Sequence, residues 1–351
     1  MPIFTPYLCG TCLTDQAGHS PANITLLMIE PTALLEKLQI EFDRHAYGDN
    51  PAELYDPITY IMSLGGKRFR PLLTLLAASI FDTDLEKAIK PAMAVEVFHN
   101  FTLMHDDIMD RAPLRRGMPT VHEKWNANTA ILSGDVMLIR AYDLLLDVPV
   151  EKLRTVLARF NQTAAEVCEG QQLDMNFETR WDVTEEEYIG MIRLKTSVLL
   201  GFALEVGGII GGADEESVQL LYDAGENMGI GFQLKDDLLD VYGDPTKFGK
   251  QVGGDIIANK KTFLLIEALS KVNGPLKTEL DHWISLETFD NEEKVNAVTK
   301  IYDALDIRSF TEDKINEYFS RGMASLQKLQ TGSVQKEVLL QFVGQLVARE
   351  K

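Results

Sequence analysis

The sequence predicts an all-α protein. From Pro31 onward, apolar residues recur at three- and four-residue spacing in segment after segment. Strand-like alternation is almost absent, and Gly, Pro and Asp punctuate the stretches between the periodic segments. The first segment, PTALLEKLQIEFDRH, predicts a helix over residues 32 to 45, and further segments predict helices over 51 to 63 and 70 to 80. Residues 85 to 110 form a long apolar helix with charge near its end, followed by helices over 126 to 147 and 150 to 177. The stretch 184 to 209 contains RLKTSVLL, and 213 to 241 contains GFQLKDDLLD. Helices over 259 to 271, 274 to 285 and 290 to 305 come next, and 310 to 349 reads as helix with breaks. Each boundary holds to within about two to four residues.

A chain of 351 residues can bury a large core, and no low-complexity linker or short repeat divides it. The expected organisation is an irregular leader, 1 to 27, followed by a single all-α unit over 28 to 351, with Met28 as the natural start. With 34 Lys plus Arg against 53 Asp plus Glu, the net charge of -19 argues against a partner bound mainly through nucleic-acid phosphate or an anionic membrane surface. The 45% hydrophobic and 25% charged shares are those of an ordinary globular protein. No apolar run reaches the roughly 20 residues of a bilayer span, so no transmembrane helix is predicted. The N-terminus has no basic region before its apolar residues and makes a poor signal peptide. Three cysteines suggest a reducing, cytoplasmic setting. Cys9 and Cys12 have the spacing of half a zinc site or a redox pair, but no second pair follows and Cys168 is isolated, so the spacing reads as coincidence.

The chemistry gathers at two acidic motifs. On the 85 to 110 helix, His99, Asp106 and Asp110 share a face, and Asp107 sits about 100° to the side. Two carboxylates one turn apart near a helix C-terminus repel each other and face the negative end of the helix dipole. A hard divalent cation removes that conflict, and Mg²⁺ suits one or two carboxylates plus substrate phosphates and water. The pattern returns in GFQLKDDLLD, where Gln233, Asp236, Asp237 and Asp240 fall at i, i+3, i+4 and i+7. One such motif reads equally well as a solvated acidic face; two, each followed by a basic glycine-containing loop, describe a pocket in which Mg²⁺ ions hold a polyphosphate. The basic loops are LGGKRFRP, RAPLRRGMPTVH and VYGDPTKFGKQVGGDIIANK. Within or beside them stand Gly65, Gly66, Lys67, Arg70, Arg115, Arg116, Lys250 and Lys260, while Lys195 and Thr196 lie in an apolar helix where a lysine is costly without an anionic partner. Arg68, Lys235 and Lys261 are read as solvated surface charges.

At these residues the sequence resembles the trans-isoprenyl diphosphate synthases, or polyprenyl synthetases. The ordered motifs GGKRFRP, FHNFTLMHDDIMDRAPLRRGMPTVH, EGQQLD, KTS, GFQLKDDLLD and FGKQVGGDIIANKKT carry the resemblance from about Gly65 to Lys261. It implies an isoprenoid-synthase-type bundle of ten or more helices around a central cavity, usually a homodimer, with the aspartate motifs facing each other. It also implies two or three Mg²⁺ ions per active site, held by Asp106, Asp110 and Asp236, with Asp107, Asp237 and Asp240 in support. Arg115, Lys195, Thr196, Gln233, Lys250 and Lys260 would hold an allylic diphosphate. Gly66, Lys67, Arg70, His99 and Arg116 would hold isopentenyl diphosphate, and Gln171 and Asp174 match a further motif near the metal.

The implied reaction is Mg²⁺-dependent head-to-tail condensation of isopentenyl diphosphate with an allylic diphosphate, with no protein nucleophile. Phe101 lies five residues before Asp106, about 7.5 Å deeper along the helix, where the family places a bulky residue that limits elongation. That and the two-residue spacing of the first motif favour a C20 product over C15 or longer chains. A terpene cyclase would mix Asn, Ser and Glu in its second motif, and a non-catalytic partner subunit would have lost aspartates or basic clusters. A purely structural helical scaffold explains neither the doubled motif nor the basic loops.

Overall fold

The structure, a computed structural model, describes residues 29–81, 83–244 and 252–348. Cys9, Cys12, Met28 and Lys250 lie outside the described residues. The chain enters through α1 (Pro31–Arg44), α2 (Ala52–Ser63) and α3 (Phe69–Ser79). The long α4 (Glu86–Met109) leads into a small antiparallel hairpin of β1 (Leu114–Arg115) and β2 (Met118–Pro119). After the single turn α5 (Val121–Lys124) come α6 (Ala127–Leu145), α7 (Val150–Phe177) and α8 (Glu185–Ile192). A π-helical turn, Arg193–Ser197, joins α8 to α9 (Val198–Gly211), and α10 (Glu215–Tyr242) follows. The remainder is α11 (Gly254–Ile257), α12 (Phe263–Lys271), α13 (Gly274–Ser285), α14 (Asn291–Ala304), α15 (Ile307–Lys328) and α16 (Val334–Ala348).

The apolar pattern explains the packing. Every residue of α9 from Val198 to Ile210 is buried, and a helix apolar on all sides is satisfied only when surrounded. It runs against α3, α4, α7 and α10. The stretch Glu185–Gly211 is therefore long and apolar enough to cross a membrane by composition, yet is mostly interior to the fold. Side chains start the helices where the sequence offers them. Asn126 caps α6, Asp214 caps α10, and Thr184 with Glu187 forms a capping box on α8.

The expected helices match the observed ones to within about four residues. The largest offset is at α12, which starts at Phe263 rather than 259. Asn259 takes a left-handed φ of 51°, and the Lys260 amide turns back to the Asp255 carbonyl at 2.9 Å, so residues 258 to 262 form a loop. The hairpin at 114 to 119 and the π-turn inside the expected 184 to 209 helix were not anticipated, and both lie at the site.

One buried charge is separate from the site. Glu205, on α9, meets Arg159 Nε at 3.1 Å. Burial pushes its carboxyl up to about 7, with Arg159 opposing the shift and Glu166 adding to it. The folded state keeps this proton to higher pH than the unfolded chain. Its stabilisation is therefore full below the ordinary glutamate range and is lost as pH rises towards 7. Urea unfolding should show stability falling by on the order of 2 kcal/mol between pH 5 and pH 8. Glu205→Gln should flatten that slope; an unchanged slope would assign it to other groups.

Candidate active site

The first acidic motif closes α4. Asp106 is half-buried, Asp110 is exposed at the C-cap, and Asp107 is 2% exposed. Burial pushes the Asp106 carboxyl up to about 6; Lys195 and Arg115 oppose the shift, while Asp110 and Asp107 add to it. Asp107 points away from its neighbours and receives Arg115 in a bidentate pair, Nε to Oδ2 at 2.8 Å and Nη2 to Oδ1 at 2.7 Å. The hairpin makes this possible. Arg116 and Gly117 take φ values of 54° and 78°, the two positive angles of a type I′ turn. Arg115 thus remains in β1 beside Asp107, while Arg116 at the tip donates from Nη1 to the Gly65 carbonyl. Adjacent arginines thereby have different partners.

Lys195, whose charge acts on Asp106, is carried by the π-turn, a local widening that often marks functional sites. It is seated between two helices at glycines. A Cβ on Gly170 of α7 would fall 2.2 Å from the Lys195 backbone nitrogen, and one on Gly229 of α10 would fall 2.5 Å from Ser197 Cα. Lys195 Nζ bonds Asp174 of α7 at 2.5 Å, the anionic partner its apolar setting requires. Thr196 donates from Oγ1 to Gln233 Oε1 at 3.2 Å.

The second motif divides like the first. Asp236 is exposed, whereas Asp237 is 4% exposed. Asp237 accepts from the Tyr188 hydroxyl and, at 3.2 Å, from Gln233 Nε2. Burial pushes its carboxyl up to about 7; the Tyr188 hydrogen bond opposes this, Asp255 adds to it, and Lys260 and Gln233 oppose it. Asp240 receives the Asp255 amide at 2.9 Å and fastens the following loop. That loop delivers Lys260. Burial disfavours its charge, but Asp255, Asp174, Asp237 and Asp110 together raise its pKa above the ordinary lysine value. Lys260 is accessible to solvent yet lies in the field of both acidic motifs.

The remaining cations sort differently from expectation. Arg68 is not a surface charge; it is 7% exposed, paired to Glu96 at 2.6 Å and bonded to the Met62 carbonyl at 2.8 Å. Lys261 is 8% exposed, donates to the Glu178 carbonyl at 3.2 Å and stands over the Trp181 ring. Lys235 is half-buried and donates to the Val347 carbonyl at 2.8 Å. Arg70 Nη1 lies 3.3 Å from His99 Nε2. Burial and then Arg70 push His99 well below the ordinary histidine range, so the ring is neutral and accepts from Arg70.

A cavity of about 540 Å³ is lined by Lys67, Arg70, Thr196, Gln233 and Asp236, with an apolar side that includes Phe69, Leu73, Leu200 and Phe232. Phe101 does not line this cavity. It is buried with its ring 5.5 Å from that of Phe98 and 4.8 Å from that of His105. The family model for polyprenyl synthetases matches residues 51–302. The chain belongs to the polyprenyl synthetase family. A geranylgeranyl diphosphate synthase of Methanosarcina mazei is 38% identical over 302 residues, 86% of this chain and 91% of that one. A geranylfarnesyl diphosphate synthase of Aeropyrum pernix is 35% identical over 312 residues, 86% of this chain and 96% of that one. A crystal structure of a geranylgeranyl pyrophosphate synthase superposes with a TM-score of 0.88 at 45% identity, covering 92% of this chain and 100% of that one.

In this polyprenyl synthetase the donor set suits a hard cation. Asp106, Asp110 and Asp236 offer only oxygen, and the buried Gln171 Oε1 has no hydrogen-bond partner, while Gln171 Nε2 lies 3.6 Å from Met109 Sδ at the first motif. Among the described residues no cluster of three or more His, Cys, Asp or Glu could hold a metal by itself. Tyr188, Gly170 and Gly229 are site-forming residues that the sequence reading missed. Only Gly170 stood inside a quoted motif, EGQQLD.

Proposed function

We propose that this prenyltransferase condenses isopentenyl diphosphate with an allylic diphosphate, in the presence of Mg²⁺, to give an all-trans C20 diphosphate. The observation that carries the reading is the cavity in which Asp236 of the second acidic motif stands with the cations Lys67 and Arg70 and the polar Thr196 and Gln233 beside an apolar wall. Asp106, Asp110 and Asp236 would hold Mg²⁺, which neutralises diphosphate oxygens and makes them a better leaving group. Lys195, Lys260, Thr196, Gln233 and Arg115 would orient the allylic diphosphate. Lys67, Arg70 and Arg116, with the neutral His99 behind Arg70 and Gly66 giving close backbone approach, would orient isopentenyl diphosphate. The allylic C1–O bond breaks, the terminal alkene carbon of isopentenyl diphosphate bonds to C1, and a proton leaves C2 towards the departing diphosphate. The products are a chain five carbons longer and inorganic diphosphate. Apolar side chains such as Leu200 and Phe232 exclude water, which would otherwise trap the cation as an alcohol.

A homodimer is part of this proposal. Leu132, Ile139 and Leu146, seven residues apart along α6 and its C-cap, are 57%, 55% and 59% exposed and form an apolar strip suited to a second copy.

The test is to incubate purified protein with isopentenyl diphosphate, Mg²⁺ and dimethylallyl, geranyl or farnesyl diphosphate in turn. A C20 product is expected; no product from any starter would sink the reading. A C25 product is the second reading, favoured by the relative named for geranylfarnesyl diphosphate. We further propose Phe101 as a limit on chain length, so Phe101→Ala should lengthen the product by one or more C5 units. Unchanged products would mean that its packing against Phe98 and His105 is only structural.

A further inference from the structure

Asp237 has the position of a metal-site aspartate but the surroundings of a core residue. It is 4% exposed and meets groups from two other helices as well as its own. Tyr188 of α8 donates its hydroxyl to Oδ2, Gln233 of α10 donates Nε2 to Oδ1 at 3.2 Å, and the Phe263 amide at the start of α12 lies 3.5 Å from Oδ2. Tyr188 is itself 3% exposed, and its ring centroid lies 6.5 Å from that of Phe263. Nothing in the motif logic requires a tyrosine seven residues before Lys195.

The geometry points to Tyr188 as a positioning residue for diphosphate binding, acting through Asp237 and Gln233; this rests on the prenyl-transfer reading above. With the Tyr188 hydroxyl donating to Oδ2, Oδ1 is left as the acceptor towards Gln233 and takes the nitrogen end of its amide. The nitrogen turns to Asp237, and the oxygen turns to Thr196. Gln233 and Thr196 both line the cavity. The order of donors on that wall is thus set by a carboxylate behind it, and the carboxylate is set by Tyr188. The tyrosine also fastens α8, the stem of the π-turn that carries Lys195 and Thr196, to α10, the helix of the second motif. The chain Tyr188–Asp237–Gln233–Thr196 closes on itself through the backbone of α8 and the π-turn. Loss of one hydroxyl frees Asp237 to rotate and the amide to turn its oxygen towards an anionic substrate.

Tyr188→Phe keeps the ring and its packing, so folding is preserved while the hydroxyl is lost. The KM for farnesyl diphosphate should rise about three- to tenfold, consistent with one misplaced donor. The KM for isopentenyl diphosphate should stay within about twofold. The Kd for farnesyl diphosphate with Mg²⁺ but without isopentenyl diphosphate, measured by calorimetry, should rise in parallel. In a Gln233→Ala background the same substitution should have no further effect, because the group through which it acts is gone. Additive losses in the double variant, or equal rises in both KM values, would overturn the proposal, as would an unchanged Kd. Failure of the parent protein to form any product would instead count against the functional reading.

Discussion

Asp106→Asn is expected to lower kcat by about three orders of magnitude, a loss of the size seen when one stabiliser of developing charge is removed, without unfolding the protein. The substitution is isosteric and removes a charge that is costly while no cation is bound. Burial already drives the Asp106 carboxyl up to about 6, with Asp110 adding to the shift. Without Mg²⁺ the variant should therefore be as stable as the parent or more so. Activity and stability should move in opposite directions. The measurement pairs turnover with thermal unfolding in EDTA, then repeats the unfolding with Mg²⁺ and inorganic diphosphate. The parent should gain stability from that pair by mass action, and the variant should gain far less. A variant that loses stability in EDTA as well as turnover would show that Asp106 belongs to the fold rather than to the metal site.

The two aspartate motifs also show what helical periodicity can and cannot reveal. Spacing alone put Asp106 and Asp110 on one face and Asp107 to the side, and the structure agrees, since Asp107 is buried and paired to Arg115. The same rule placed Asp236, Asp237 and Asp240 on one broad face, but Asp237 points inward. At i, i+3, i+4 and i+7 the stripe is wide enough to touch both a cavity and a neighbouring helix, and only tertiary packing decides which residue turns where. Arg68, Lys235 and Lys261 failed for a similar reason. Their partners are Glu96, the Val347 carbonyl and the Glu178 carbonyl, far away in sequence. The family resemblance assigns Arg115 and Arg116 to different substrates; the structure gives them different partners, Asp107 and the Gly65 carbonyl, through a type I′ turn that was legible only as the Arg-Gly pair at 116 and 117. The depth of Phe101 followed from the helical rise; whether its ring lines a cavity did not.

Gly170→Ala should have a comparably large effect, with the opposite balance between stability and chemistry. In the middle of an exposed helix, alanine for glycine stabilises by about 1 kcal/mol. At Gly170 the new Cβ would lie 2.2 Å from the Lys195 nitrogen, 2.6 Å from Lys195 Cα and 2.7 Å from the Leu194 carbonyl carbon. All three are backbone atoms and have no rotamer to yield. Relief must come from moving α7 or the π-turn, and overpacking of this kind costs roughly 1–3 kcal/mol. The same displacement carries Lys195 away from Asp174 and Asp106, and misplacement by about 1 Å can lower kcat/KM by about 100-fold. Gly190→Ala, on α8 with no atom within 4 Å of the added Cβ, is the control and should be neutral or stabilising. If Gly170→Ala were as stable and active as Gly190→Ala, close packing would not seat the π-turn. Lys195 would then owe its position to its ion pair with Asp174 rather than to the absence of a side chain on α7.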